Sequence, residues 1–182
     1  RTNRQIGRVE TEGSAAADAN VEKAVLREAV LLQMTWNGAP TIYYGDEAGV
    51  TGWTDPDNRR TYPWGREDRE LIAFHKAAIS LRKEYPVLRH GSLKQLYGAY
   101  GVLAYGRFDE KEKILVALNN TEEIRTVSIP VWQMGVQTEG TLQNCLMTNR
   151  DGFTVFGFSY PVRNGNVLLS LPPKSAMAVR EI

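Results

Sequence analysis

Six aromatic side chains, Trp36, Tyr43, Tyr44, Trp53, Tyr62 and Trp64, fall within thirty residues that also hold Asp46, Glu47, Asp55, Asp57, Asn58, Arg59 and Arg60. Flat apolar faces beside carboxylates and guanidinium groups suit a ligand with an apolar ring face and a rim of hydroxyls, because the ring buries area while fixed polar groups read the hydroxyls. A sugar has that form. A plainer account makes the aromatics core and the charges solvated. Asp46 and Glu47 resemble the carboxylate pair of a glycosidase, which must flank one bond at roughly 5–5.5 Å or 6.5–9.5 Å. Neighbours on a strand point to opposite faces, so these two do not converge on one bond. Asp55 and Arg59 are spaced so that a turn brings a carboxylate and a guanidinium together, as a surface ion pair or as a clamp on ligand hydroxyls; spacing alone favours the surface pair.

Other candidates carry less. His75 lies on an apolar helix stripe and His90 in a loop, with no second histidine at ligand spacing, so metal binding is not indicated. Cys145, the one cysteine, has no basic neighbour in sequence and reads as an inert thiol; it also excludes an internal disulfide and a cysteine metal cluster. Asn119-Asn-Thr121 forms a glycosylation sequon of a length that chance produces often. The glycines at 98, 101 and 106 lie in β-patterned sequence and open no helix, so no phosphate loop is present.

The chain has 182 residues, 42% of them apolar, and a formal charge of +1 from 22 basic and 21 acidic side chains. At roughly 100–200 residues per domain this allows one domain or two small ones, and is too short for a whole large barrel. A balanced charge supplies no basic field for nucleic acid or anionic lipid. The longest uncharged run, residues 29–45, is broken by Gln33, Asn37, Gly38 and Pro40 and does not read as a membrane span. The start, Arg1-Thr-Asn-Arg-Gln5, lacks a methionine and an apolar leader, so the sequence reads as cut from a longer one.

Residues 1–17 read as a loop. A helix is predicted over 21–34, capped by Asp18 or Asn20, with Val21, Val25, Ala29 and Leu32 on its apolar stripe and Val30, Leu31 and Met34 widening it. Gly38 and Pro40 end it. The run Thr41-Ile-Tyr-Tyr44 then reads as a strand buried on both faces. A turn-rich loop covers 45–66, and a second helix 67–84 carries Leu71, Phe74, Ala78 and Leu81 on one face before Pro86 stops it. Beyond, the period becomes two, predicting strands at 93–97, 102–108, 114–119, 126–129, 142–147, 153–158, 167–171 and 176–180 in an antiparallel sandwich. A lone buried strand between two helices has no parallel partner, so residues 1 to about 88 read as the last part of an α/β sheet or barrel.

At Gly38-Ala-Pro-Thr-Ile-Tyr-Tyr-Gly-Asp-Glu-Ala-Gly49, Asp55-Pro-Asp-Asn-Arg59, Pro63-Trp64, Leu81-Arg-Lys-Glu-Tyr-Pro86 and Leu171-Pro-Pro-Lys-Ser175 the chain resembles the α-amylase family, glycoside hydrolase family 13, nearest its neopullulanase, cyclomaltodextrinase and maltogenic amylase branch. The resemblance implies an α+β chain: the end of a (β/α)8 TIM barrel over 1–88, with 41–44 as the eighth strand, then an all-β antiparallel sandwich as C-terminal domain over 89–182. The loop 45–66 would leave the C-terminal end of a barrel strand, where barrel active sites are built. On that resemblance Asp55 and Arg59 contact the sugar one place beyond the cleaved bond on the non-reducing side, Trp53 and Arg60 stand at the rim, and Tyr44 adds to the substrate surface.

The family's three catalytic carboxylates match nothing in these residues, so the implied parent cleaves α-1,4 and α-1,6 glucosidic bonds with retention while this chain alone is inactive. Its implied partners are an α-glucan or maltooligosaccharide and the other part of the barrel, with no nucleic acid and no membrane. Uncovered barrel edges predict self-association. No cofactor or metal is implied here, calcium being a matter for the parent. The family branch leans to the cytoplasm, and the sequence does not fix a compartment. A non-catalytic carbohydrate-binding or structural β-sandwich module is the competing expectation.

Overall fold

A computed structural model describes residues 8–182. Contacts divide the described residues into two compact units, one of residues 8–22 and 41–73, the other of residues 23–40 and 74–182.

The larger unit is built on one antiparallel sheet. Its strands are β1 (Ser92–Ala99), β2 (Val102–Phe108), β3 (Lys113–Asn119), β4 (Arg125–Ile129), β5 (Gly140–Asn149), β6 (Gly152–Thr154), β7 (Ser159–Arg163), β8 (Asn166–Leu171) and β9 (Ser175–Glu181), in the order β1-β2-β3-β9-β5-β7-β8-β4, with β6 pairing on β5. Every pairing is antiparallel. Apolar residues of β1–β3, β5 and β9 share one core with those of β4, β7 and β8, so the sheet folds over on itself as a sandwich whose layers are continuous. On the outer face Tyr105, Ile114, Val116, Leu118, Ala176 and Ala178 form a second core with Val30, Leu31, Met34, Phe74, Ala78, Leu81, Val87 and Leu88. Being covered on both faces, β3 reads Ile-Leu-Val-Ala-Leu without alternation, whereas β5 alternates.

One expected strand is cut short and one unexpected strand appears. The period-two run at 153–158 pairs only over Gly152–Thr154, and the next four residues leave the sheet with Val155, Phe156 and Phe158 exposed. Asn144 holds their backbone, donating from Nδ2 to the Phe156 carbonyl at 2.8 Å and from its main-chain N–H to the Phe158 carbonyl at 2.8 Å. Strand β7 goes unread in the sequence because Pro161 lies within it; the edge of β5 that pairs with β6 at one end pairs with β7 at the other. Cys145 is the extra residue of a bulge, where the register on β9 shifts between Asn144 and Leu146, and burial pushes its thiol pKa up. Asn119 of the sequon is fully buried and spends its amide on the carbonyls of Glu123, Leu171 and Pro172.

Helix α2 (Lys23–Thr35) forms near the expected place, with its buried face rotated from the predicted stripe. Buried are Ala24, Arg27, Glu28, Val30, Leu31, Met34 and Thr35, so the residues expected to widen the stripe are buried, whereas of the stripe itself Val21 and Ala29 are exposed and Val25 and Leu32 half-buried. The charged pair enters the protein because it finds polar partners there. Arg27 donates to Thr148 Oγ1 at 2.8 Å and to the Asn149 carbonyl at 2.7 Å, and Glu28 accepts from Asn120 Nδ2 at 2.7 Å. Helix α3 (Arg69–Glu84) buries Leu71, Phe74, Ala78 and Leu81 as expected, and α4 (Val87–His90) follows Pro86.

Two guanidinium groups close the end of this helical layer. Arg107 of β2, 0% exposed, donates to the carbonyls of Thr35 at 2.6 Å, Leu88 at 2.9 Å, Gly91 at 2.9 Å and Ser92 at 3.3 Å. Arg82 of α3 donates to those of Met34, Trp36, Gly38 and Leu88 at 2.6–3.2 Å. Neither has a carboxylate partner among the described residues; helix-end carbonyls, which lack partners within the helix and carry partial negative charge, take that place. Replacing Arg107 by Met leaves several of those acceptors buried and unpaired. At ~1–3 kcal/mol for each such group, partly relieved by relaxation, it should destabilise the chain by about 3–5 kcal/mol. A urea denaturation midpoint equal to that of the wild type would contradict this.

In the smaller unit, residues 8–17 are not a plain loop: α1 (Arg8–Glu12) and a 3-10 turn, Ser14–Asp18, form there, and the part of the predicted loop at 1–7 lies outside the described residues. Thr41, Ile42, Tyr43 and Tyr44 form no strand and are exposed, which corrects the expectation of a doubly buried one. The physical reason is that a strand needs a partner edge, and no described segment supplies one.

Candidate functional site

The loop over 45–66 begins with a backbone that only glycine takes easily. Gly45 has φ 94°, and a Cβ there would stand 2.8 Å from Val50 Cγ2. The chain then winds into a 3-10 turn at Asp46–Ala48, ended by Gly49 at φ 78°, and Val50 N–H returns to the Gly45 carbonyl at 2.9 Å. Asp46 and Glu47 are therefore on a turn and not on a strand. The conclusion that they fail to converge stands, since successive side chains of a 3-10 turn diverge by about 120°. Glu47 instead accepts the Gly45 N–H at 2.9 Å. Where the loop ends, Asp68 accepts the Leu71 N–H at 3.0 Å and so caps α3.

Across the tip, Asp55-Pro-Asp-Asn-Arg-Arg60 carries two interleaved charge pairs of opposite character. Arg59 meets Asp55 twice, Nε to Oδ1 at 2.8 Å and one terminal nitrogen to Oδ2 at 3.1 Å, and both side chains are largely exposed, 60% and 66%. Arg60 and Asp57 turn inward, at 23% and 10%, and meet at 2.9 Å. Asp57 also accepts the hydroxyl of Ser14 and the main-chain N–H of Trp53, the latter at 2.8 Å. The Ser14 hydroxyl, the Trp53 N–H and Arg60 together hold its carboxyl down to a pKa of about 2, and bonding to Asp57 raises that of the Arg60 guanidinium.

The structure brings Asp55 and Arg59 together and treats the other expected residues differently. Trp53 is half-buried and faces the segment before α2: its indole Nε1 donates to the Gly13 carbonyl at 3.2 Å, and the Arg8 guanidinium lies 5.1 Å from its ring. Tyr44 donates its hydroxyl to the Arg60 carbonyl at 3.0 Å and lies against Tyr43, ring centroids 4.9 Å apart. Tyr43, not among the expected residues, is exposed, and loss of solvation, aided by the Tyr44 hydroxyl, raises its pKa, while Asp55 and Arg59 act on it in opposite directions. With Tyr44, Asp46, Thr51 and Asn58 it lines a cavity of about 530 Å³. Sequence reasoning placed Arg60 at a rim and passed over Asp57; their i,i+3 spacing was the available signal, and it could not tell which way they face.

Two carboxylates of this surface are poised against acting as proton donors. Asp57 is held ionised, and the Gly65 N–H lowers the pKa of Glu67. A general acid needs the reverse shift. What remains available to a ligand is a forked carboxylate–guanidinium pair beside tyrosine faces, which is hydroxyl-reading chemistry.

No family model matches the chain. An amylopullulanase of Thermoanaerobacterium thermosulfurigenes is 34% identical over 177 residues, covering 91% of this chain and 9% of that protein. A cyclomaltodextrinase of a Bacillus species is 38% identical over 113 residues, 60% of this chain and 20% of that protein. Among solved structures, the α-amylase of Geobacillus thermoleovorans complexed with acarbose superposes with a TM-score of 0.76 at 26% identity, over 90% of this chain and 34% of that one. The chain thus spans a small part of the length of these relatives.

Because its pKa is depressed below the usual 3.8, Asp57 contributes its anchorage fully above the ordinary aspartate range and loses it as pH falls towards about 2. In a carboxyl carbon-13 titration the Asp57 midpoint should lie near that value and rise towards 3.8 in Ser14→Ala. An ordinary midpoint in the wild type would contradict the geometry.

Proposed function

The chain belongs with the α-amylase family, glycoside hydrolase family 13, and on that premise we propose that it is the C-terminal portion of an α-glucan-acting glycoside hydrolase or transglycosidase. In this reading residues 1–88 are the end of the catalytic barrel and residues 89–182 the C-terminal domain. The parent cleaves α-1,4 and α-1,6 glucosidic bonds with retention, through carboxylates that these residues do not supply. Asp55 and Arg59 grip hydroxyls of a bound glucosyl unit, and Tyr44 and Trp53 shape the surface around them.

The observation that carries this reading is the exposed, doubly bonded Asp55–Arg59 pair at the tip of an anchored loop. An exposed pair of this kind adds ~0–1 kcal/mol to folding, so its value to stability is small, while the remaining guanidinium N–H groups and carboxylate lone pairs are left for a ligand. Residues 41–44, exposed and outside any strand, support it as well: their β-branched and aromatic pattern suits a strand of a barrel.

Titration of the purified chain with maltotriose should show binding that Asp55→Ala weakens by about tenfold or more, the loss of one charged hydrogen-bonding group, with no change in the unfolding midpoint. Equal affinity in the variant would remove Asp55 from the site. The chain alone should release no reducing sugar from maltooligosaccharides, and turnover by a contaminant-free sample would overturn the assignment of the catalytic carboxylates to other residues.

A further inference from the structure

We infer that Arg60 is a positioning residue, which grips the segment before α2 and thereby holds the neighbouring Asp55–Arg59 pair in the geometry that meets a sugar. The inference rests on the reading of that pair as a sugar contact, and extends it to residues that touch no ligand.

Both terminal nitrogens of Arg60 are engaged. One donates to Asp18 Oδ1 at 2.9 Å and to Thr51 Oγ1 at 3.4 Å; the other donates to Asp57 Oδ2 at 2.9 Å, to Ser14 Oγ at 2.8 Å and to the Ser14 carbonyl. Thr51 in turn donates to Asp18. Residues 14 and 18 are thus tied to residues 51, 57 and 60 through one guanidinium. The decisive atom is Asp57 Oδ2, which accepts both the Trp53 N–H at 2.8 Å and Arg60 at 2.9 Å. A single oxygen therefore draws residue 53 and residue 60 together, and Asp55 and Arg59 are the turn enclosed between them.

The alternating orientation follows. With residues 57 and 60 facing inward, residues 55 and 59 are left facing outward, as their exposures show. A free aspartate and a free arginine would have to be ordered on binding, at a cost of roughly 0.5–1.5 kcal/mol for each flexible side chain, which corresponds to several-fold in affinity for each. An anchored loop meets that cost before the sugar arrives. Arg60 is suited to the task where lysine is not, since its planar fork satisfies several acceptors at fixed angles and a lysine offers one compact ammonium.

The test compares the wild-type chain with Arg60→Ala, Arg60→Lys, Ser14→Ala and Asp55→Ala in two measurements. Nitrogen-15 relaxation of the Arg59 Nε–H, read without sugar, should show a rigid group in the wild type and a mobile one in Arg60→Ala, with Arg60→Lys recovering little. Maltotriose affinity should fall about tenfold in Arg60→Ala while the global unfolding midpoint holds. A purely structural role would lower the midpoint and leave the Arg59 signal of the folded chain unaltered. If Arg60→Ala does not fold, Ser14→Ala, which removes one bond of the network, takes its place and should mobilise Arg59 to a smaller degree. An Arg59 Nε–H as rigid in these variants as in the wild type overturns the inference. Unchanged maltotriose affinity in Asp55→Ala instead sinks the sugar reading, and the relaxation of Arg59 still decides whether Arg60 positions it.

Discussion

A buried positive charge, with no acid beside it among the described residues, governs the architecture of the larger unit. Arg107 sits at 0% exposure near the end of β2, and burial together with the nearby charge of Arg82 lowers its pKa. What makes the burial tolerable is a set of carbonyls at the end of α2, at α4 and at the start of β1, all aimed at one guanidinium. Most of those carbonyls would otherwise lie at a helix end or a chain turn in search of a donor, the Leu88 carbonyl alone being shared with Arg82. One side chain therefore settles four backbone groups from three places in the sequence, and Arg82 does the same for the residues just after α2. The helices lie against the outer face of the sheet by apolar contact, which has no preferred direction; the arginines supply the direction.

The same device recurs in the smaller unit for a different end. Arg60 also gathers several acceptors, among them two carboxylates, and what it stabilises is a loop and not a core. Within six residues the chain places a pair that works by facing inward and a pair that works by facing outward. Magnitudes separate their tasks. The exposed pair is worth little to folding and is well placed for a ligand, whereas the inner pair, with its depressed carboxyl pKa, is committed to holding shape.

Several of the sequence readings fail at points where a partner distant in sequence makes the decision. Helix α2 was legible as a helix with Val30, Leu31 and Met34 inward, yet its buried face is turned away from Ala29, because Arg27 and Glu28 are buried by Thr148, Asn149 and Asn120, ninety or more residues away. Residues 153–158 alternate as a strand should, but Asn144 takes the backbone bonds of Phe156 and Phe158 and leads the chain out of the sheet. Residues 41–44 have strand chemistry and no strand, since hydrogen bonding in a sheet is a property of two segments. By contrast β2 was read to the residue and β3 to within one, where unbroken apolar runs are bounded by turns.

At the site, residue types and spacing were sufficient to suggest a hydroxyl-reading loop and to place Asp55 beside Arg59, because a four-residue turn limits where such a pair can go. They were not sufficient to distinguish Arg59 from Arg60, or Asp55 from Asp57: the four lie in one short run of similar chemistry. Ser14, Asp18 and Trp53 made that distinction, by offering acceptors and a donor on one side of the loop only. The amino-acid sequence by itself carried the family likeness through its motifs, and it determined the helix-then-sheet order and the antiparallel β-domain, which follow from local periodicity and turn chemistry. Which charges face inward, which helix face is buried and which strand-like segments find a partner were decided only by the tertiary structure, because a hydrogen bond or an ion pair has no meaning until its second atom is in place.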